Sequence, residues 1–254
     1  VEKVEGSGNY ANMVGNAAKL VFRNLEDYDP SFVPSREERT LGDRWILETL
    51  ARTEESVSAN LDKYELGEAA GSIYEFSWND FCDWYIETAK ARLYGDQAED
   101  KKVAQYVLVY TLTRMLALLH PFMPFITEHI WQHLPHEGKT LARASWPCPD
   151  GDLRFPQEKE QMERLMDAIK AVRNMRAEEH VNPGKLCPIH LIPLRGDLGE
   201  CAETHKIYIG KLAHAESVDI LPEGAPKPEN ALASVVSGME VYMELKGLID
   251  TVKE

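Results

Sequence analysis

Apolar side chains return every three to four residues through roughly the first two-thirds of the chain, and that period commits it to long amphipathic helices. Over residues 9–24, Tyr10, Val14, Ala17, Ala18 and Val21 share one stripe, until Asp27-Tyr28-Asp29-Pro30 ends the helix because proline disfavours helical angles before it. A second helix is expected to start near Asp43, a suitable N-cap, and to turn Ile46, Leu47, Leu50, Val57 and Leu61 inward. A third over 65–94 buries Ala69, Ile73, Phe76, Phe81, Tyr85, Ala89 and Leu93. A fourth covers 97–120, and Pro121 and Pro124 separate it from a short fifth over 125–134, with Trp131 as a core anchor. Long helices joined by short connections predict an antiparallel helix bundle.

The texture then changes. Residues 135–156 read as a proline-rich loop, and 157–179 as a helix with Met162, Leu165, Met166, Ile169, Val172 and Met175 at helical spacing. Short apolar runs at 186–194 and 218–221 flank a helical stretch at 197–214. Two further runs, 232–236 and 239–245, flank Ser237-Gly238, a hairpin signal. The expected architecture is mainly α: a helix bundle (1–150), then a long helix with a small β-α-β-β subdomain (151–254).

Charge and motif content limit the function classes. The net charge is −14, yet residues 1–100 carry 10 Lys/Arg against 21 Asp/Glu, whereas residues 101–150 carry 5 against 3. The acidity is concentrated in the first hundred residues, but overall charge alone does not exclude RNA binding, because a local basic stripe on an acidic body can do the work. Cys82, Cys148, Cys187 and Cys201 stand in no CxxC pattern, so free thiols are expected, with neither a zinc site nor a disulfide framework. The sequence has no glycine-rich phosphate loop, GxSxG or HExxH, and His120, His133, His136, His180, His205 and His214 are scattered, so no catalysis is expected of this chain itself. No apolar run reaches the roughly 18 residues of a membrane span, and the opening Val1-Glu2-Lys3 suggests a fragment.

Several segments in order carry a family likeness: Asn12, Asn16-Ala17-Ala18, Asp43-Arg44-Trp45-Ile46, Asn79 to Glu87 with Lys90 and Arg92-Leu93-Tyr94, His120 to Glu128 with Ile130-Trp131, Val172 to Glu178, Val181-Asn182-Pro183 and Gly247-Leu248-Ile249-Asp250. Together they resemble the C-terminal region of valyl-tRNA synthetases. The resemblance implies a class I synthetase anticodon-binding helix bundle followed by a small α/β element. It also implies tRNA(Val) as partner, the catalytic and editing domains of the same polypeptide as neighbours, and a cytoplasmic setting without membrane. No cofactor is implied for this region; ATP and magnesium would belong to the catalytic domain.

For such a task, unpaired bases are read by aromatic planes and amide edges, and phosphates by Lys and Arg. On the first helix, Tyr10 and Asn12 are the base-contact candidates, with Asn16 beside them, and Lys19 and Arg23 the phosphate candidates. Lys170, Arg173 and Arg176 form a second candidate ridge. Tyr10 packing into the bundle is the competing reading for the first helix, and a solvated helix face for the second. Glu87, Lys90 and Arg92 are expected to knit the bundle by packing and intrahelical ion pairs. The first helix departs from the family pattern of Arg-Asn-Phe and Lys-Leu-Trp, having Gly8-Asn9-Tyr10 and Met13-Val14-Gly15, and His129 stands where a second glutamate is usual. A divergent module binding another partner without specific tRNA recognition is the alternative function.

Overall fold

In the computed structural model the backbone is described over residues 2–245 and the side chains over residues 8–245, so the resemblance at Gly247 to Asp250 lies outside the described residues. The chain forms two compact units, Val1–Lys159 and Glu160–Glu254.

In the first unit the helices follow the apolar period. They are α1 (Glu2–Arg23), α2 (Leu41–Asp62), α3 (Leu66–Glu75), α4 (Glu87–Leu93), α5 (Ala98–Leu119) and α6 (Pro124–Trp131). Between α3 and α4 the rod does not break but widens into a π-helical segment, Phe76–Ile86. Ser77 offers a local cause: its buried hydroxyl donates to the Ile73 carbonyl, competing with the backbone ladder where the wider turn begins. Helix α5 packs against α1, α2, α3, α4 and α6, and its Leu108, Leu112, Met115 and Leu116 are fully buried.

Asp43 is not the N-cap of α2. Thr40 is: its side chain accepts the Asp43 N–H at 3.2 Å while the Asp43 carboxylate accepts the Thr40 N–H at 2.9 Å, a reciprocal capping box. From this third helical position Asp43 faces inward, where it also accepts from the Tyr85 hydroxyl at 2.6 Å and from Arg92 Nη1 at 2.7 Å. Arg92 then reaches Asp100 at 2.7 Å, so its ion pairs tie α4 to α2 and α5; the intrahelical pair expected here is made by Lys90 with Glu87 instead.

Two further buried carboxylates on α2 tie it to its surroundings: Glu48 holds the loop after α6 directly, and Glu54 holds Arg114 of α5, which donates to the Cys148 carbonyl of that loop. Glu48 accepts from Arg154 Nε at 3.0 Å, the Phe155 N–H at 2.8 Å and Arg52 Nε at 2.9 Å. Burial opposes its ionisation, but these donors outweigh burial and hold its carboxyl below the usual range. Glu54 pairs with Arg114, yet there burial wins and its carboxyl titrates above the usual range.

In the second unit, α7 (Pro156–Glu178, whose first turn contains the division between units) precedes β1 (Cys187–Pro193), α8 (Gly196–Thr204), α9 (Lys206–Ala213), β2 (Ala215–Ile220), β3 (Ala231–Val236) and β4 (Met239–Glu244). The single helix expected over 197–214 is two, breaking at His205. The sheet order is β2-β1-β4-β3, with β1 and β2 parallel and the other pairs antiparallel. Ser237 and Gly238, at φ 48° and 80°, form the expected hairpin turn, whose two positive φ values match the twist of the paired strands. A helix bundle followed by a small α/β element is therefore the observed fold; in place of the expected β-α-β-β order the element runs β-α-α-β-β-β, with four strands in one mixed sheet. Among the described residues, no helix is long and apolar enough to cross a membrane, and no cluster of His, Cys, Asp and Glu is arranged to hold a metal ion.

Candidate nucleic-acid interface

Helix α1 divides its residues between two faces. Tyr10, Val14, Ala17, Ala18 and Val21 are buried, whereas Asn9, Asn12, Asn16, Lys19 and Arg23 are exposed. The spacing of three and four residues aligns these five polar side chains on one stripe. Neither Lys19 nor Arg23 has a hydrogen-bonding or ionic partner among the described residues.

Beside this stripe lies an open groove of about 490 Å³, lined on the α1 side by Asn9, Asn12, Met13 and Asn16 and across it by Trp78 and Cys82 of the π-helical segment. Three primary amides, each offering donors and an acceptor, thus share a concavity with a half-buried indole. The Trp78 ring stacks on exposed Tyr74, with centroids 5.8 Å apart and planes 19° apart. The Cys82 thiol contacts the Met13 sulfur at 3.0 Å, and burial pushes its pKa up to about 12, so it presents a neutral thiol to the groove.

Tyr10 is not part of this surface, which corrects the expectation that it offers a stacking plane. Its ring is buried beside Tyr74 at 5.0 Å, and its hydroxyl donates to Ser77 Oγ at 2.7 Å, since the Ser77 proton is committed to Ile73. Burial raises its pKa to about 12. Trp78, Tyr74 and Asn9 are the groups that sequence reasoning missed. The available signal was that Tyr74 and Trp78 fall off the apolar stripe of their helix, an unusual position for large aromatics.

The second candidate ridge is only partly a surface. Lys170 and Arg173 are exposed, and Arg173 Nε donates to the Leu212 carbonyl at 3.0 Å. Arg176 is buried, a correction to its expected role: it donates to the carbonyls of Lys185 at 2.7 Å, Asn182 at 3.4 Å and His214 at 3.4 Å, and contacts Cys187 Sγ at 3.2 Å. Its planar fork, with donors in fixed directions, gathers the ends of several loops. Lys170 shares a cleft of about 470 Å³ with Asp167, Asn174, Glu178 and Ser234, where the carboxylates offset its charge.

Comparison with known proteins gives a consistent result. Residues 43–191 match the family described as the anticodon-binding domain of tRNA ligase; α1 precedes the matched stretch. Over its whole length the chain is similar to the valine–tRNA ligases of Carboxydothermus hydrogenoformans (44% identity), Halalkalibacterium halodurans (40%) and Bacillus anthracis (39%). It spans 28–29% of the length of these relatives.

Proposed function

This chain belongs to the family of anticodon-binding domains of tRNA ligases, and from that premise we propose that it binds the anticodon stem-loop of a valine tRNA through the α1 groove. Unpaired bases splay out of the loop, one stacking on Trp78 while others meet the amides of Asn9, Asn12 and Asn16 along their edges. Lys19 and Arg23 continue the stripe and take backbone phosphates. In the whole polypeptide the grip orients the tRNA toward a catalytic part, where ATP and magnesium act; the setting is the cytoplasm, where tRNA is charged.

The observation that carries this reading is the convergence of three amides and one indole in a single groove, continued by two unpaired cations on the same helix. Amide edges select bases, an indole supplies about 1–3 kcal/mol per stacked base, and cations supply sequence-independent affinity. The overall charge of −14 confines RNA to such a local stripe.

The test is a fluorescence titration of the chain with the anticodon stem-loop of valine tRNA and that of another tRNA, at several salt concentrations. Preference for the valine stem-loop, reduced by Asn12→Ala and Trp78→Ala, is expected, whereas Lys19→Ala with Arg23→Ala lowers affinity for both RNAs equally. Equal, salt-insensitive binding to both stem-loops would refute it and favour a module that binds another partner.

A further inference from the structure

Arg39 carries a charge that no acceptor among the described residues contacts directly; the Glu38 carboxylate acts on it only through space. Its side chain is only 7% exposed, its Nε is buried without a partner, and no hydrogen bond or ion pair to its guanidinium exists among the described residues. Its one close partner is the Tyr106 ring, whose centroid lies 6.0 Å from the guanidinium carbon. Neighbouring Glu38 uses its carboxylate to accept the Ser35 N–H at 2.6 Å.

The contrast is drawn along one face of α5. Tyr106 stacks on Tyr110 at 6.1 Å, and the Arg114 guanidinium lies 5.1 Å from the Tyr110 ring. The two tyrosines are thus bracketed by guanidiniums; Arg114 is held by a direct ion pair with Glu54, whereas Arg39 has no direct ion pair among the described residues and feels only the through-space attraction of Glu38. Burying an arginine without an acceptor is costly, and a second charge of opposite sign recovers that cost.

We propose that Arg39 is a phosphate-binding residue whose missing partner is a backbone phosphate of the RNA held by α1. The inference rests on the RNA-binding reading for the source of the phosphate. Continuity argues for that source. Gln105, the residue before Tyr106, donates to the Asn24 carbonyl at 2.6 Å and to Asp27 at 2.7 Å, which brings this part of α5 to the end of α1 that bears Arg23. From Asn12 through Lys19 and Arg23 the polar stripe runs about 16 Å along the helix axis toward that end. A strand whose bases enter the groove and whose phosphates follow Lys19 and Arg23 is carried to Arg39. The guanidinium fork suits a phosphate, and the Tyr106 face holds it in place.

The experiment compares wild type, Arg39→Gln and Arg39→Lys in the full chain. With the valine stem-loop, Arg39→Gln is expected to weaken binding by the same factor as with a non-cognate stem-loop and to make the slope of log K against log salt shallower by about 0.7, one phosphate of an unpaired strand. Arg39→Lys restores the slope but not the full affinity, because a point charge replaces the fork. The free Arg39→Gln protein melts at or above the wild-type Tm, since it no longer buries an uncompensated charge; a clear drop in Tm would show Arg39 to be structural and overturn the proposal. RNA affinity and slope unchanged in Arg39→Gln would overturn it too, and leave a carboxylate of a protein partner as the counter-ion. If wild type binds no RNA, the anticodon reading fails separately and inorganic phosphate decides the site. A Tm rise in phosphate over chloride of equal ionic strength, absent in Arg39→Gln, supports it, and no rise in wild type refutes it.

Discussion

Replacing Asp43 by alanine tests the claim that one buried carboxylate joins three parts of the bundle. The carboxylate is fully buried and accepts from the Tyr85 hydroxyl, from Arg92 and from the Thr40 N–H. Its removal breaks a buried ion pair, worth about 3–5 kcal/mol when one partner is lost. Tyr85, 1% exposed, is left with an unsatisfied hydroxyl, at about 1–3 kcal/mol, and the capping box loses one arm, at about 1 kcal/mol. These losses overlap, because Asp100 still holds Arg92 Nε at 2.7 Å; the expected destabilisation is about 4 kcal/mol. Urea unfolding followed by tryptophan fluorescence is the assay, since all 5 tryptophans lie in the first unit and report on it alone. Asp43→Asn keeps an acceptor and should lose about half as much, while Asp100→Ala, at a part-exposed pair, should lose under about 1 kcal/mol. An Asp43→Ala protein within 1 kcal/mol of wild type, or no worse than Asp100→Ala, would refute the reasoning.

Four further outcomes follow from the same geometry. Tyr10→Phe should cost about 1 kcal/mol through the lost Ser77 hydrogen bond and leave RNA affinity unchanged, measured by urea unfolding and titration together. Arg176→Met should destabilise the second unit by about 3 kcal/mol, read by proton exchange of the β1 amides, because several carbonyls lose their common donor. Cys82, its thiol pKa near 12, should resist iodoacetamide at pH 8 while exposed Cys148 reacts, as peptide mass spectrometry would show. Glu48 has a depressed carboxyl pKa, so its contribution is complete above the unfolded value and is lost as pH falls through the folded one. Glu48→Gln should therefore flatten the acid limb of the stability profile below about pH 4.5, in urea titrations across that range.

The helices were legible because burying one face dictates a period, and the hairpin because Ser237-Gly238 meets a turn that needs two positive φ values. The exposed stripe of Asn12, Asn16, Lys19 and Arg23 was legible for the same reason, being fixed within a single helix. Whatever depends on a second element was not. Tyr10 fits both a base-stacking and a core role until Ser77 is seen beside it, and Trp78 joins the groove only through tertiary packing. Arg176 sits in a run of cations at helical spacing, yet unpaired carbonyls around it draw it inward. Thr40 and Asp43 compete for the cap by composition, and only backbone geometry assigns Thr40 the cap and Asp43 the interior.

The π-helical segment also limits which insertions and deletions the chain tolerates. Losing one residue between Phe76 and Ile86 would let the wide turns tighten into an ordinary helix and rotate everything beyond by about 100°. Arg92 would then swing off Asp43, and Tyr85 with it, although every side chain in the network was still encoded. In this stretch the residue count is as much a part of the bundle's specification as residue identity, whereas the proline-rich loop after α6 has room for length variants outside its anchors to Glu48 and to Arg114.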